Sequence, residues 1–264
     1  MSLMINTNVD AIDAHRNLQN TESSMAMSMQ RLSSGLRLNS AADDAAGYAI
    51  VQGLTGQVNG LAQAAHNAQD AVSLVQTADG TLNNVQQMLQ RVRELAVQYQ
   101  NGTLSSSDQV AINSEVSQLA SEISRLGTTA QFNGIALFSS NTTISFQVGA
   151  NDGDVIAVTT TSMGSLVGSI SLSGTTPLSS IDGFINAVSA QAAQFGAVQN
   201  RLQYTLQNLG TYQENLTAAQ GSIQNVDMAS EMTKFTQDQV LQQAGVSMLA
   251  QANQEPQAIL KLLG

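Results

Sequence analysis

Cysteine is absent from the 264-residue chain, which excludes a disulfide framework, a thiolate nucleophile, a Cys-ligated zinc and an iron–sulfur cluster. Tryptophan is absent as well, and aromatics amount to 4% of the residues although hydrophobic residues reach 42%. The apolar content is therefore Ala, Val, Leu, Ile and Met, and thick aromatic cores are excluded. Only two prolines interrupt the chain, so long stretches are free to be helical. Charge is scarce and one-sided: charged residues make up 11%, and 9 basic against 19 acidic residues leave a formal net charge of -10. A phosphate backbone or an anionic bilayer would repel such a chain, which argues against nucleic-acid and membrane partners. No apolar run approaches the ~18 residues of a membrane span. The N-terminal MSLMINTNVDAIDAHR has no basic residue before Arg16 and no apolar segment of signal-peptide length. Either the chain stays inside the cell, or it leaves by a route that does not read such a signal.

What is present is heptad order. Val188, Phe195, Leu202, Leu209, Leu216 and Ile223 recur at intervals of seven, with Val198, Thr205, Tyr212, Ala219 and Val226 three residues beyond most of them. This predicts a long helix from about Ser180 to Val226, with start signals at Thr176, Pro177 and Ser179 to Asp182. Residues 45–100 repeat the pattern through Leu54, Leu61, Ala68, Val75, Leu82, Leu89 and Ala96. Gly53, Gly56, Gly60 and Gly80 interrupt that segment and read as close helix approaches. Asn101-Gly102 ends it, and Ser105 to Asp108 cap a shorter helix carrying Ile112, Val116, Leu119, Ile123 and Leu126 as far as Gly127. From Phe132 the period becomes two: Ile144, Phe146 and Val148 alternate with polar residues, Asn151 to Asp154 marks a turn, and Val155 to Val158 returns. One β-hairpin is expected there. Residues 159–176 hold ten Ser or Thr and predict an exposed tip, suited to glycosylation or insertion.

The ends form two further amphipathic helices. Leu18, Met25 and Leu32 stand at heptad spacing near the start, with Met29 and Leu36 on the same face. Met228, Met232, Phe235, Leu241, Ala244, Met248 and Ala252 form a stripe near the end. Neither arm has an obvious local core. They either form an ordinary helix pair or bury themselves against copies or partners, and six of the ten methionines lie here, a side chain that packs adaptably. The assembly surface expected from these stripes is Leu18, Met25, Leu32, Met228, Met232, Phe235, Leu241 and Met248.

Catalytic and metal chemistry is not signalled. His15 and His66 are solitary and read as structural. Asp43-Asp44 directs adjacent carboxylates to different sides of a helix, which suits a helix N-terminus better than a shared acid–base site. Gly149 to Asp154 lacks the spacing and terminal Glu of an EF-hand and reads as a turn. No cofactor and no enzyme activity is expected.

Several longer words then occur in order: Ile5-Asn6-Thr7-Asn8, the run Gln30 to Gly47 (QRLSSGLRLNSAADDAAG), Leu89 to Gln98 (LQRVRELAVQ), Gln131 to Gly134 (QFNG), Leu241 to Gly245 (LQQAG), and Leu249 to Gln254 (LAQANQ) before Pro256. Together they closely resemble bacterial flagellin, from end to end. The resemblance implies a mainly α fold, a long helical coiled-coil bundle with a small β-hairpin element and two terminal helical arms. It implies a terminal-arm domain of residues 1–42 plus 228–264 that assembles an inner tube. Residues 43–227 would form a helical rod, with the β-hairpin region at about 128–180. The large outer domains of many family members should be missing. Implied partners are other copies in a helical homopolymer, a flagellar export chaperone, the type III export apparatus, and the filament cap and hook-junction proteins. The implied location is the extracellular filament used for swimming. Gln90, Arg91, Glu94, Leu95 and, on the next helix, Glu115 match the surface that a vertebrate Toll-like receptor reads in some flagellins; packing between subunits is the other reading of the same residues. A hook–filament junction protein or other secreted coiled-coil adaptor would share the amphipathic ends.

Overall fold

The computed structural model describes residues 8–168, 170, 172 and 178–263, with side chains described through residue 254. Along the chain these form α1 (Val9–Ser34), α2 (Ala45–Tyr99), α3 (Ser106–Thr129), β1 (Gln131–Phe132) and β2 (Ile135–Ala136). There follow β3 (Thr142–Gln147), β4 (Val155–Thr160), α4 (Met163–Val167), α5 (Leu178–Gln224) and α6 (Met228–Leu263). The start signals at Thr176 and Pro177 and the word Ile5-Asn6-Thr7 lie outside the described residues. The chain divides into two compact units, Met1–Gly56 with Leu216–Gly264, and Gln57–Asn215.

The unit of residues 57–215 is built on the heptads. Ala68, Val75, Leu82 and Leu89 of α2, with Val188, Phe195 and Leu202 of α5, are all at most 1% exposed. They share one cluster with Ile123, Leu137, Phe138, Ile156 and Val158. Phe138 and Phe195 meet with ring centroids 6.1 Å apart, a separation at which tilted rings attract. A second cluster joins Val92, Leu95 and Ala96 of α2 to Ile112 and Val116 of α3 and Ile181 of α5. α3 starts at a reciprocal cap: the Asp108 backbone N–H donates to Ser105 Oγ at 3.2 Å while the Ser105 N–H and hydroxyl donate to Asp108 Oδ2. The helix does not stop at Gly127 but continues to Thr129. Gly127 serves packing instead, since a Cβ there would collide with Met163 of α4.

Two hairpins replace the single one expected. β1 and β2 pair antiparallel around Asn133-Gly134, both in the left-handed region (φ 47° and 79°), the conformation that a two-residue hairpin turn requires. β3 and β4 pair over six residues, with Ile144 opposite Val158 and Phe146 opposite Ile156 on one face. The exposed tip expected over residues 159–176 is overturned where it is described. Thr160, Met163, Leu166, Val167 and Leu172 are buried, and α4 packs into the main cluster. The physical reason is spacing: Met163, Leu166 and Val167 stand at i, i+3 and i+4, an apolar helical face set among the Ser and Thr that dominate the composition. The close helix approaches assigned to four glycines are corrected too. A Cβ at Gly53, Gly56 or Gly80 would meet nothing within 4 Å, and at Gly60 it would meet Ala150 of the β3–β4 turn, not a helix.

In the other unit α1 and α6 run antiparallel. Asn8 Nδ2 donates to the Ala252 carbonyl at 2.8 Å at one end, and Arg31 lies 4.0 Å from Glu231 at the other. Past Gly35, left-handed at φ 71°, the chain crosses back: Arg37 N–H donates to the Gln224 carbonyl at 2.7 Å and Val226 N–H to the Gly35 carbonyl at 3.1 Å. Asp43 accepts from the backbone of Asn39 and Ser40, and Asp44 from Ala46 and Gly47 at the start of α2.

Candidate assembly interface

Burial along the arms follows a heptad. On α1 and its C-cap Gly35, positions 11, 14, 18, 21, 25, 28, 32 and 35, in alternating steps of three and four, are buried or half-buried, and Ser24 and Arg31 beside that line are half-buried too. On α6 the line is 231, 235, 238, 242, 245, 249 and 252, and every other described side chain from Met228 to Gln254 is exposed. The register is fixed where Gly245 faces Leu18: a Cβ at Gly245 would come within 3.3 Å of Leu18 Cδ1. Thus the arms do form a helix pair, with a single seam each.

The residues expected to form the assembly surface separate into two sets. Leu18, Met25 and Leu32 lie on the α1 seam and Phe235 on the α6 seam, all half-buried within the pair. Met228 (47% exposed), Met232 (48%), Leu241 (48%) and Met248 (65%) lie off the seam, on the outside. The stripe read from the sequence mixed both lines. Its steps of four, three, six, three, four and four fit no single face. The outer surface also includes Val9, Ile12, Met27 and Met29 of α1 and Val240 and Val246 of α6, all exposed. They could have been found by plotting the residues opposite the seam.

In the unit of residues 57–215, Gln90, Arg91 and Glu94 are exposed on α2, and Glu115 is exposed on α3. Arg91 Nη2 lies 3.0 Å from Glu115 Oε1 and Nη1 lies 3.2 Å from Glu94 Oε2. The hydrogen bond to Glu115, then that to Glu94, raises the Arg91 pKa above its ordinary value. Leu95 does not belong on that surface. It is 2% exposed and packs with Ile112 and Val116, because its position on α2 adjoins the seam residue Ala96. Among the described residues no group of three His, Cys, Asp or Glu is placed to hold a metal ion, and no helix is long and apolar enough to cross a membrane.

Two terminal helices that pair through a half-buried seam and leave Met228, Met232, Leu241 and Met248 exposed, together with a heptad-built helical unit, define the helical class of structural protein. Sequence comparison gives the family. The bacterial flagellin N-terminal helical region matches residues 5–143, and the bacterial flagellin C-terminal helical region matches residues 178–263. Among curated relatives, the flagellin of Halalkalibacterium halodurans is 45% identical and that of Bacillus subtilis 40%, each alignment covering 99% of this chain and 100% of the relative. The flagellar filament 33 kDa core protein of Treponema phagedenis is 39% identical over the same shares. The crystal structure of Bacillus cereus flagellin superposes with a TM-score of 0.51 at 30% identity, covering 55% of this chain and 88% of that one. A structure described as a flagellar hook-associated protein of Vibrio parahaemolyticus shares the fold, with a TM-score of 0.59 at 14% identity over 69% of this chain and 100% of that one. The chain belongs to the bacterial flagellin family. It is a structural subunit of the flagellar filament, serving motility, and not an enzyme.

Proposed function

We propose that residues 1–42 with 228–264 form the domain through which copies of the chain join, and that residues 43–227, with the β region at about 128–180, form a rod that the arms anchor. The observation that carries this reading is the outward direction of Met228, Met232, Leu241 and Met248 on α6, each about half exposed or more. Burying one such side chain is worth roughly 1.5–3 kcal/mol, whereas an exposed ion pair such as Arg16–Asp13 is worth ~0–1 kcal/mol. A helical polymer repeats each contact without closing, which multiplies the difference. Leu18, Met25, Leu32 and Phe235 contribute from beneath, by holding the pair whose outside is covered.

The experiment is polymerisation of the full chain followed by sedimentation. Leu241→Asp combined with Met248→Asp is expected to abolish pelletable polymer while circular dichroism shows the rod still helical. Lys234→Ala is expected to polymerise as the parent does. Normal filaments from the double variant would overturn the reading.

By family likeness the chain leaves the cell through the flagellum's own type III export apparatus, helped by an export chaperone, and meets the hook-junction and cap proteins at the filament's two ends. A full chain recovered only inside cells that carry a working export apparatus would contradict this. The same likeness extends to Gln90, Arg91, Glu94 and Glu115 as a surface for a vertebrate Toll-like receptor. The exposed Arg91 network supports it, and Arg91→Ala is expected to weaken binding to a receptor ectodomain without altering the rod.

A further inference from the structure

Asparagine followed by glycine is the dipeptide most open to spontaneous loss of the side-chain amide, because no Cβ on the second residue hinders attack by its backbone nitrogen. The chain holds three such pairs, Asn59-Gly60, Asn101-Gly102 and Asn133-Gly134, and all three asparagines are exposed. The fold gives them different backbone settings. Asn59 and Gly60 lie inside the continuous helix α2, where the Gly60 N–H belongs to the helical hydrogen-bond ladder and the dihedrals are fixed. Asn133 and Gly134 are held left-handed between Phe132 and Ile135, which pair across the turn. Asn101 and Gly102 lie in neither helix nor strand, in the link between α2 and α3. A Cβ at Gly102 would meet nothing within 4 Å. Among the described residues neither the Gly102 N–H nor Asn101 Nδ2 has a hydrogen-bond partner. Asn101 Oδ1 accepts from the Thr103 N–H at 3.3 Å, a donor placed where negative charge develops when a nucleophile attacks Cγ.

We propose that Asn101 is a site of spontaneous deamidation and isomerisation, selected by the fold from identical dipeptides. The Gly102 nitrogen, having given its proton to hydroxide, forms a bond to Asn101 Cγ; the Cγ–Nδ2 bond breaks, and the nitrogen leaves as ammonia after taking a proton from water. The product is a cyclic imide, which water opens at either carbonyl. Cleavage of the Cγ–N bond yields aspartate at position 101. Cleavage of the bond to the backbone carbonyl carbon yields isoaspartate, in which the main chain runs through Cγ. A water enters and an ammonia leaves, with no oxidant or reductant. Either product adds a negative charge to an already acidic chain. Isoaspartate also displaces a structural acceptor: the Asn101 carbonyl, which takes the Leu104 N–H at 3.2 Å, becomes a carboxylate outside the main chain. Leu104 packs on the cluster that joins α2, α3 and α5, so the link between α2 and α3 is loosened in proportion to the time since synthesis.

The test incubates the full chain at neutral and at alkaline pH, natively and in urea. Each asparagine is followed by peptide mapping with mass spectrometry, and isoaspartate by isoaspartyl methyltransferase labelling. In the native chain Asn101 is expected to convert about tenfold or more faster than Asn59, the factor that ~1.4 kcal/mol of helix opening imposes, and faster than Asn133. Its rate is expected to rise with pH, because the attacking nitrogen must lose its proton. In urea the rates are expected to converge. Gly102→Ala, which the open space and a backbone outside the left-handed region accommodate, is expected to suppress conversion at Asn101 alone while circular dichroism stays that of the parent. In aged chain the peptide carrying Leu104 is expected to exchange its amide hydrogens faster than in fresh chain, and equal exchange would overturn the loosening. Native Asn59 or Asn133 converting as fast as Asn101 would overturn the site itself. So would an Asn101 that stays intact natively while it converts in urea, or a Gly102→Ala variant that converts at the parent rate. A preference for Asn101 that persists unchanged in urea would assign the choice to sequence neighbours instead of the fold, and would overturn it as well.

Discussion

Single residues at the helix ends show how local chemistry was readable before any fold was known. Ser105 to Asp108 was recognisable as a cap from its spelling alone, and it makes both reciprocal bonds. Its consequence is a pH dependence with a definite sign. The hydrogen bond from the Ser105 hydroxyl, then that from its backbone, holds Asp108 below the ordinary carboxylate value. Asp43 is lowered likewise, chiefly by the Ser40 backbone N–H. In the unfolded chain both return to about 3.9, so the unfolded state binds protons first as pH falls. Their stabilisation is therefore complete at neutral pH and is lost as pH falls through the depressed folded values. Asp108→Asn should lower the melting temperature at pH 7, and the difference from the parent should vanish once both forms of the parent carboxylate are protonated. Thermal melts across that range check it, and a difference that grows toward acid would contradict it. Gly127 illustrates the opposite case. Its sequence context read as a stop signal, but its function is to admit Met163, a residue 36 positions later in the chain, and no local pattern carries that.

Among the elements, the long ones were legible because their period repeats many times. α5 was expected over about 180–226 and is found at Leu178–Gln224, and α2 was expected over 45–100 and is found at Ala45–Tyr99. Short elements fared worse for a physical reason. α4 has five residues, too few for periodicity to outweigh a Ser- and Thr-rich composition. The first hairpin rests on an Asn-Gly pair between strands of two residues each. α4 yields a test that distinguishes a packed element from a tip. Leu166→Asp should cost the rod about 2 kcal/mol or more, since it places an unpaired carboxylate in the main cluster. Ser165→Asp, exposed one residue away, should change the denaturation midpoint little. Equal effects from the two would return this segment to the surface.

For the molecule as a whole, the contrast between the two compact units decides what happens in the free chain. One unit places 21 buried hydrophobic residues in a single cluster. The arm helices of the other bury only Ser28, Glu231 and Asp238 among their described residues. A heptad pattern alone did not reveal this difference. Leu18, Met25 and Leu32 spell the same seam as Val75, Leu82 and Leu89, and it is the positions between them, Thr21 and Ser28 on α1 and Glu231, Asp238 and Gln242 on α6, that make one seam mixed where the other is apolar. Helices in water owe most of their stability to packing of an apolar face, and this pair fully buries no apolar residue among those described. Monomer held below its polymerisation concentration should therefore lose both ends to a protease at low dose, leaving a resistant piece of about residues 43–227. Phe195→Ala, which removes a fully buried ring from the main cluster, should destabilise that resistant piece by about 3–5 kcal/mol, while the rate at which the ends are trimmed stays that of the parent. Mass spectrometry of the fragments reads both quantities. If the ends of the parent resisted as long as the middle, the weakness assigned to the arm pair would be wrong. If Phe195→Ala accelerated trimming and fragment loss together, the ends would owe their order to the rod's core instead of to the copies around them.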